Sequence, residues 1–97
     1  MKTNYTEIIL LHEMLTDAGI PHTFGEMWGG YHITYPIGEN WECSVIEHLG
    51  SYGNESDLLE IMGLLTKEEA EYDSVVGYLT AEDVYQRISA HYEGIGG

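Results

Sequence analysis

The chain has 97 residues, of which 17 are Asp or Glu and only three are Lys or Arg, giving a formal net charge of −14 at pH 7. Charge of this sign excludes direct nucleic-acid binding, which depends on neutralising phosphates with basic side chains, and it opposes attachment to an anionic membrane surface. The length allows one hydrophobic core, so a single domain over 1–97 is expected, and a composition of 43% apolar and 21% charged residues is that of a folding chain.

Cys43 is the only cysteine, so no internal disulfide forms and a reducing, cytoplasmic setting is expected. The apolar stretch from Ile8 to Leu11 is broken by His12 and Glu13, too short for a signal peptide or a membrane span.

The first predicted element is a helix from about Tyr5 to Ala18, capped by Asn4 with Glu7 in the place of a capping-box partner. Ile8, Leu10, Leu11, Met14, Leu15 and Ala18 share one side at helical spacing. Gly19 supplies the left-handed position past the end, and Ile20-Pro21 stops the helix.

The period then changes to two. Phe24, Glu26 and Trp28 alternate with Thr23, Gly25 and Met27, Gly29-Gly30 offers a tight turn, and Tyr31, Ile33 and Tyr35 form the returning strand of a hairpin. After a turn over Pro36 to Asn40, Trp41, Cys43 and Val45 alternate with Glu42, Ser44 and Ile46 as a third strand.

From Gly50 the pattern reads as helical again. Gly50-Ser51-Tyr52-Gly53 is a loop, and Asn54 or Ser56 caps a short helix carrying Leu58, Leu59, Ile61 and Met62. Thr66-Lys67-Glu68-Glu69 has the form of a capping box that opens an acidic turn through Glu71 and Asp73. Ser74 to Leu79 is an extended connector or an additional edge strand, and Thr80 caps a last helix to about Tyr92, with Val84, Ile88 and either Ala81 or Tyr85 inward and Gly94 to Gly97 frayed.

The fold class is therefore α+β, in the order α-β-β-β-α-α, with a three-stranded antiparallel sheet packed against helices. The core should contain Leu11, Leu15, Ile33, Val45 or Ile46, Leu59, Ile61, Val84 and Ile88.

Catalysis finds no footing in these residues. The five histidines include no helical zinc pair, one cysteine cannot build a structural metal site, and His32 with His48 is the only pairing that strand geometry suggests. Neither a metal nor a cofactor is expected. Cys43 reads as a packed strand residue, and the glycines around Ser51 have the wrong spacing for a nucleophile elbow.

Two binding constellations stand out. The carboxylates Glu68, Glu69, Glu71, Asp73, Glu82 and Asp83 form an acidic surface suited to a basic protein partner, such as a nucleic-acid-binding effector. Alternatively, Tyr31, Tyr35 and Trp41 with Ser51 and Tyr52 of the glycine loop wall a small-ligand site, since backbone N–H groups of such a loop can cradle an anion. Trp28, Tyr31, Tyr35 and Trp41 on one sheet face would also join two copies into a homodimer.

The strings Leu15-Thr16-Asp17-Ala18-Gly19-Ile20-Pro21, Gly30-Tyr31-His32-Ile33-Thr34-Tyr35-Pro36, Cys43-Ser44-Val45-Ile46-Glu47-His48 and Gly50-Ser51-Tyr52-Gly53 resemble a family of small acidic proteins of phages and prophages of intestinal bacteria. The likeness continues through Leu58 to Thr66 and Gly77 to Glu82, and it brings no activity or site residue with it. In architecture and charge the chain is also similar to acidic phage anti-CRISPR inhibitors, which occupy the nucleic-acid channel of an effector nuclease. These resemblances imply a phage accessory protein with an anti-defence role, or a sponge for a nucleotide-like immune signal, or a virion assembly accessory.

Overall fold

Alternation of apolar and polar residues continues further along the chain than the expected three strands. The computed structural model describes residues 5–37, 39–48, 50–51 and 56–96. Helix α1 (Thr6–Asp17) leads into strands β1 (Thr23–Met27), β2 (Gly30–Tyr35), β3 (Cys43–Glu47) and β4 (Leu59–Gly63). Helix α2 (Lys67–Tyr72), strand β5 (Val75–Leu79) and helix α3 (Ala81–Gly96) complete the order. The strands form one antiparallel sheet in the sequence order β1-β2-β3-β4-β5.

Register places Phe24, Ile33, Val45, Ile61 and Val76 opposite one another in a single row across all five strands. Because successive strand side chains point to opposite faces, this row and its alternates Tyr35, Cys43 and Leu59 fall on the face that the helices cover. α1 contributes Ile8, Leu11 and Leu15, α3 contributes Ala81, Val84 and Ile88, and all six are inaccessible to solvent. On the opposite face, Thr34, Ser44 and Met62 make one row and His32, Ile46 and Glu60 the next, and none of these six side chains is buried.

The α+β class and the core residues expected from periodicity agree with the structure, with Val45 rather than Ile46 pointing inward. The three-stranded sheet and the α-β-β-β-α-α order do not. The segment expected as a short helix around Leu58 to Met62 is β4, because Leu59 and Ile61 are buried while Glu60 and Met62 are not, a period of two. Ser74 to Leu79 resolves into the edge strand β5.

Two local expectations also shift. Trp28 and Gly29, both at positive φ (43° and 79°), form the hairpin turn in place of Gly29-Gly30, so Trp28 leaves the strand and stands 77% exposed. β3 begins at Cys43, which leaves Trp41 in the preceding loop, while Tyr31 and Tyr35 lie on the covered face. The exposed aromatic sheet face that was to join two copies is therefore not formed. Asn4, the expected helix cap, lies outside the described residues, and the N-cap position is Tyr5, which makes no side-chain cap bond. The C-terminal helix continues to Gly96, past the point where fraying was expected.

Gly30 explains how β3 is held in place. A Cβ there would meet the Glu47 carbonyl oxygen at 2.0 Å, so only glycine allows β2 to approach the end of β3 this closely. Glu47 itself is fully buried and reaches across to the first turn of α1, where Oε1 accepts from the Ile8 N–H at 3.3 Å. Asp57 accepts from the Glu7 N–H at 3.4 Å and from the Thr6 hydroxyl. Glu7 in turn accepts from the Ala81 N–H at 2.8 Å, at the start of α3.

These carboxyls supply from a distance the caps that α1 lacks locally. Burial, reinforced by the neighbouring Asp57, pushes the Glu47 carboxyl up to about 8, so Glu47 is protonated at neutral pH. Its Oε2 is buried and meets no partner in hydrogen-bond geometry. Burial also pushes Asp57 up, but Glu47, the Thr6 hydroxyl and the backbone N–H groups of Thr6 and Glu7 outweigh it and hold Asp57 below its usual value.

The sign of the pH effect follows. Between the unfolded value of about 4.5 and the folded value of about 8, the native state holds one proton more than the unfolded chain. Stability from this group is thus complete below the lower value and declines as pH rises through the window, by at most about 1.4 kcal/mol per pH unit. Glu47→Gln should flatten that decline, matching the natural chain near pH 5 and exceeding its stability at pH 8 in urea titrations.

Candidate functional site

Short helix α2 has no buried residue, and it is positioned by polar contacts at its ends. Thr66 and Glu69 form the expected capping box, with the Thr66 N–H donating to Glu69 at 2.8 Å and the Glu69 N–H to the Thr66 hydroxyl at 3.2 Å. Arg87, on the second turn of α3, closes a fork on Glu69, with both nitrogens 2.7 Å from the carboxylate oxygens. It also donates to the Leu64 carbonyl at 3.1 Å. The Arg87 hydrogen bonds, followed by that from the Thr66 N–H, hold the Glu69 carboxyl down at about 2.

The fork brings α2 beside the start of α3, where Thr80 and Asp83 make a second reciprocal cap, each bond 3.1 Å long. Of the six residues expected to bind a basic partner, Glu69 and Asp83 are brought together around Arg87, and the six are in different states. Glu69 is committed to Arg87, Asp83 caps Thr80, and Glu82 accepts from Gln86 at 2.9 Å. Asp73 accepts from the Ser74 N–H at 2.7 Å. All but Glu69 are exposed. The result is an acidic ridge on an immobilised base.

The alternative ligand site is not assembled in one place. Tyr35 is buried and its hydroxyl meets His91 Nδ1 at 2.8 Å, while Tyr31 lies flat on Phe24 at a centroid distance of 5.3 Å. Trp41 precedes β3, and Ser51, bonded through its hydroxyl to the backbone of His48, follows the other end of the same strand. Five extended residues separate those ends by roughly 13–17 Å. Tyr52 and Gly53 lie outside the described residues.

The Tyr35, His91 and Glu42 side chains form a line, the last contact being 3.8 Å, that has the outline of a hydroxyl–imidazole–carboxylate triad. Burial raises the Tyr35 hydroxyl, and Cys43 beside it is pushed up to about 12, so neither is an activated nucleophile. Its evident work is to tie α3 to the sheet.

Sequence reasoning missed a cluster between the middle of α1 and the entry to β1. His12 Nδ1 and His22 Nε2 are 2.8 Å apart, His22 Nδ1 bonds the Ile20 carbonyl at 2.8 Å, and the His12 ring stacks on Phe24 at 4.2 Å. His12 also lines a groove of about 370 Å³ along α1 with Glu13, Met14, Thr16 and Asp17. Burial, then His22, lowers the His12 imidazole, with Glu13 opposing. The expected His32 and His48 pairing does not form: His32 faces Ile46, and Trp28 lies edge-on to His48.

Among the described residues no group of three or more His, Cys, Asp or Glu is placed to hold a metal ion, and no helix is long and apolar enough to cross a membrane. In comparisons with known proteins, no family model, curated protein or solved structure matches the chain.

The fork gives a direct test of how the ridge is held. Arg87→Met keeps the aliphatic stem but removes the bidentate pair and the Leu64 contact, and should cost about 1–2 kcal/mol. The loss should be full at neutral pH and shrink toward the share of the Leu64 contact as pH falls through about 2, because a carboxylate with a lowered folded value contributes stability that disappears as pH falls through that value. Hydrogen exchange should report the opening first at α2.

Proposed function

We propose that this protein is a phage-type accessory protein, of an anti-defence kind, that docks on the basic surface of a nucleic-acid-binding host protein and blocks it. The observation that carries this reading is the acidic ridge of α2 and the first turn of α3. Its carboxylates Glu68, Glu71, Asp73, Glu82 and Asp83 are exposed, and the chain's one arginine is already committed to Glu69. Two capping boxes and the Arg87 fork fix the ridge in advance, so docking would require little further ordering. The phage resemblance and the net charge support the same reading.

On this reading the ridge occupies the place of a phosphate backbone, and the host cytoplasm is where it acts. Sequestration of a nucleotide-like signal has less support, because Tyr31 and Tyr35 belong to the core and Trp41 and Ser51 do not share a wall.

The test has two stages. A partner captured from bacterial lysate and identified by mass spectrometry should release its nucleic acid on binding, with affinity falling at least about tenfold between 50 and 300 mM salt. The combined variant Glu68→Lys, Glu71→Lys, Asp73→Lys should abolish that binding and leave the fold intact by circular dichroism. Salt-insensitive binding that survives charge reversal would reject the reading, and calorimetric binding of a nucleotide lost in Trp41→Ala or Tyr52→Ala would favour sequestration.

A further inference from the structure

We propose that His12 and His22 form a two-nitrogen site for a divalent transition-metal ion, with Cu²⁺ as the best-fitting one. The two rings come from different elements, His12 from the middle of α1 and His22 from the segment that enters β1. Each is held in orientation by a contact that does not involve the other. The Ile20 carbonyl takes the His22 Nδ1 proton at 2.8 Å, which leaves Nε2 with its lone pair aimed at His12. Such a carbonyl contact on the far nitrogen is the usual way in which a ligating histidine is fixed in tautomer and direction. His12 is held by Phe24, the two rings lying 12° from parallel at 4.2 Å.

The facing nitrogens lie close enough for one ion to reach both. Two cis ligands at a metal–nitrogen distance of about 2.0 Å and a right angle stand about 2.8 Å apart, whereas a tetrahedral angle opens them to about 3.3 Å. The 2.8 Å in the metal-free pair is the length of its N–H···N hydrogen bond, close to the tetragonal span, so only a small turn of the rings would open a shared position. The choice of Cu²⁺ rests on its place at the top of the general affinity order for nitrogen sites.

In the metal-free pair, His12 Nδ1–H must be the donor, because the only free position on His22 is a lone pair. Metal binding moves that proton to His12 Nε2, a change of tautomer without a change of charge. Water fills the remaining positions, since the pair has no third protein ligand among the described residues. A net charge of −14 raises the local concentration of divalent cations. A bound ion would staple the middle of α1 to the strand entry beside it.

The experiment titrates the full chain with CuCl₂ and, separately, ZnCl₂ by calorimetry, with His12→Gln, His22→Gln and, as a control, His91→Gln. One Cu²⁺ should bind per chain, more tightly than Zn²⁺, and the affinity should fall at least about tenfold in either of the first two variants but not in the control, since even outer-shell changes cost about 10–100-fold. Electron paramagnetic resonance of the natural protein should show two imidazole nitrogens on the copper. Copper should also raise the melting temperature of the natural chain and of His91→Gln alone. Equal binding in all four proteins, or a spectrum with only oxygen ligands from surface carboxylates, would overturn the proposal. The spectrum decides the matter by itself if a variant fails to fold.

Discussion

Beside the apolar core, the join between sheet and helices depends on one buried, protonated acid, Glu47, and its half-buried neighbour Asp57. Glu47 sits where β3 ends, where α1 begins and where the approach to β4 passes, and its carboxyl is neutral because it is buried, with Asp57 beside it adding to the effect. With the proton in place, Glu47 and Asp57 satisfy N–H groups of the first turn of α1, and Glu7 on that turn caps the start of α3. Remove the Glu47 bond and the Ile8 N–H is left unsatisfied in a dry environment, whereas the Asp57 and Glu7 bonds cap donors that are only partly buried. These acids thus add polar ties between β3, α1 and α3 to the apolar core and to the Tyr35–His91 contact.

The same device recurs across the molecule. Glu7, Glu47, Asp57, Glu69, Asp73 and Asp83 all accept from backbone N–H groups, so amide dipoles and helix N-termini take the part that lysine and arginine play elsewhere. A chain with three bases for 17 acids can fold on these terms because part of its charge is spent locally. Among the carboxylates without such a role, Glu68 and Glu71 are exposed on α2. Composition lumps together buried Glu47, exposed Glu68 and Glu71, and Asp73 and Asp83, which are exposed and also cap backbone N–H groups.

Much of the fold was legible from periodicity, and the failures have identifiable causes. α1, its Gly19 terminus and the Thr66 and Thr80 caps follow from strong local signals, and the core positions follow from spacing. β4 was misread because Leu58, Leu59, Ile61 and Met62 fit both a short helix and a strand, and only pairing with β3 and β5 decides between them. The turn at Trp28-Gly29 was displaced by one residue because Gly30 is needed for contact with β3, a long-range demand invisible in the hairpin itself. Of the candidate site, the acidic ridge could be anticipated as a run of charges. The commitment of Glu69 to Arg87, 18 residues away, and the meeting of His12 with His22 could not, since both depend on tertiary packing.

The placement of the tryptophans has a practical consequence for anyone following this protein in solution. Trp28 at the hairpin tip and Trp41 before β3 are both exposed, at 77% and 38%, while the buried aromatic ring is Tyr35. Indole emission already samples water in the native state, so its wavelength is a poor gauge of unfolding. It is instead a reporter of whatever settles on the periphery, beside His48 for one residue and beside the entry to β3 for the other. Loss of structure is better read from the near-ultraviolet dichroism of the tyrosines packed between sheet and helices.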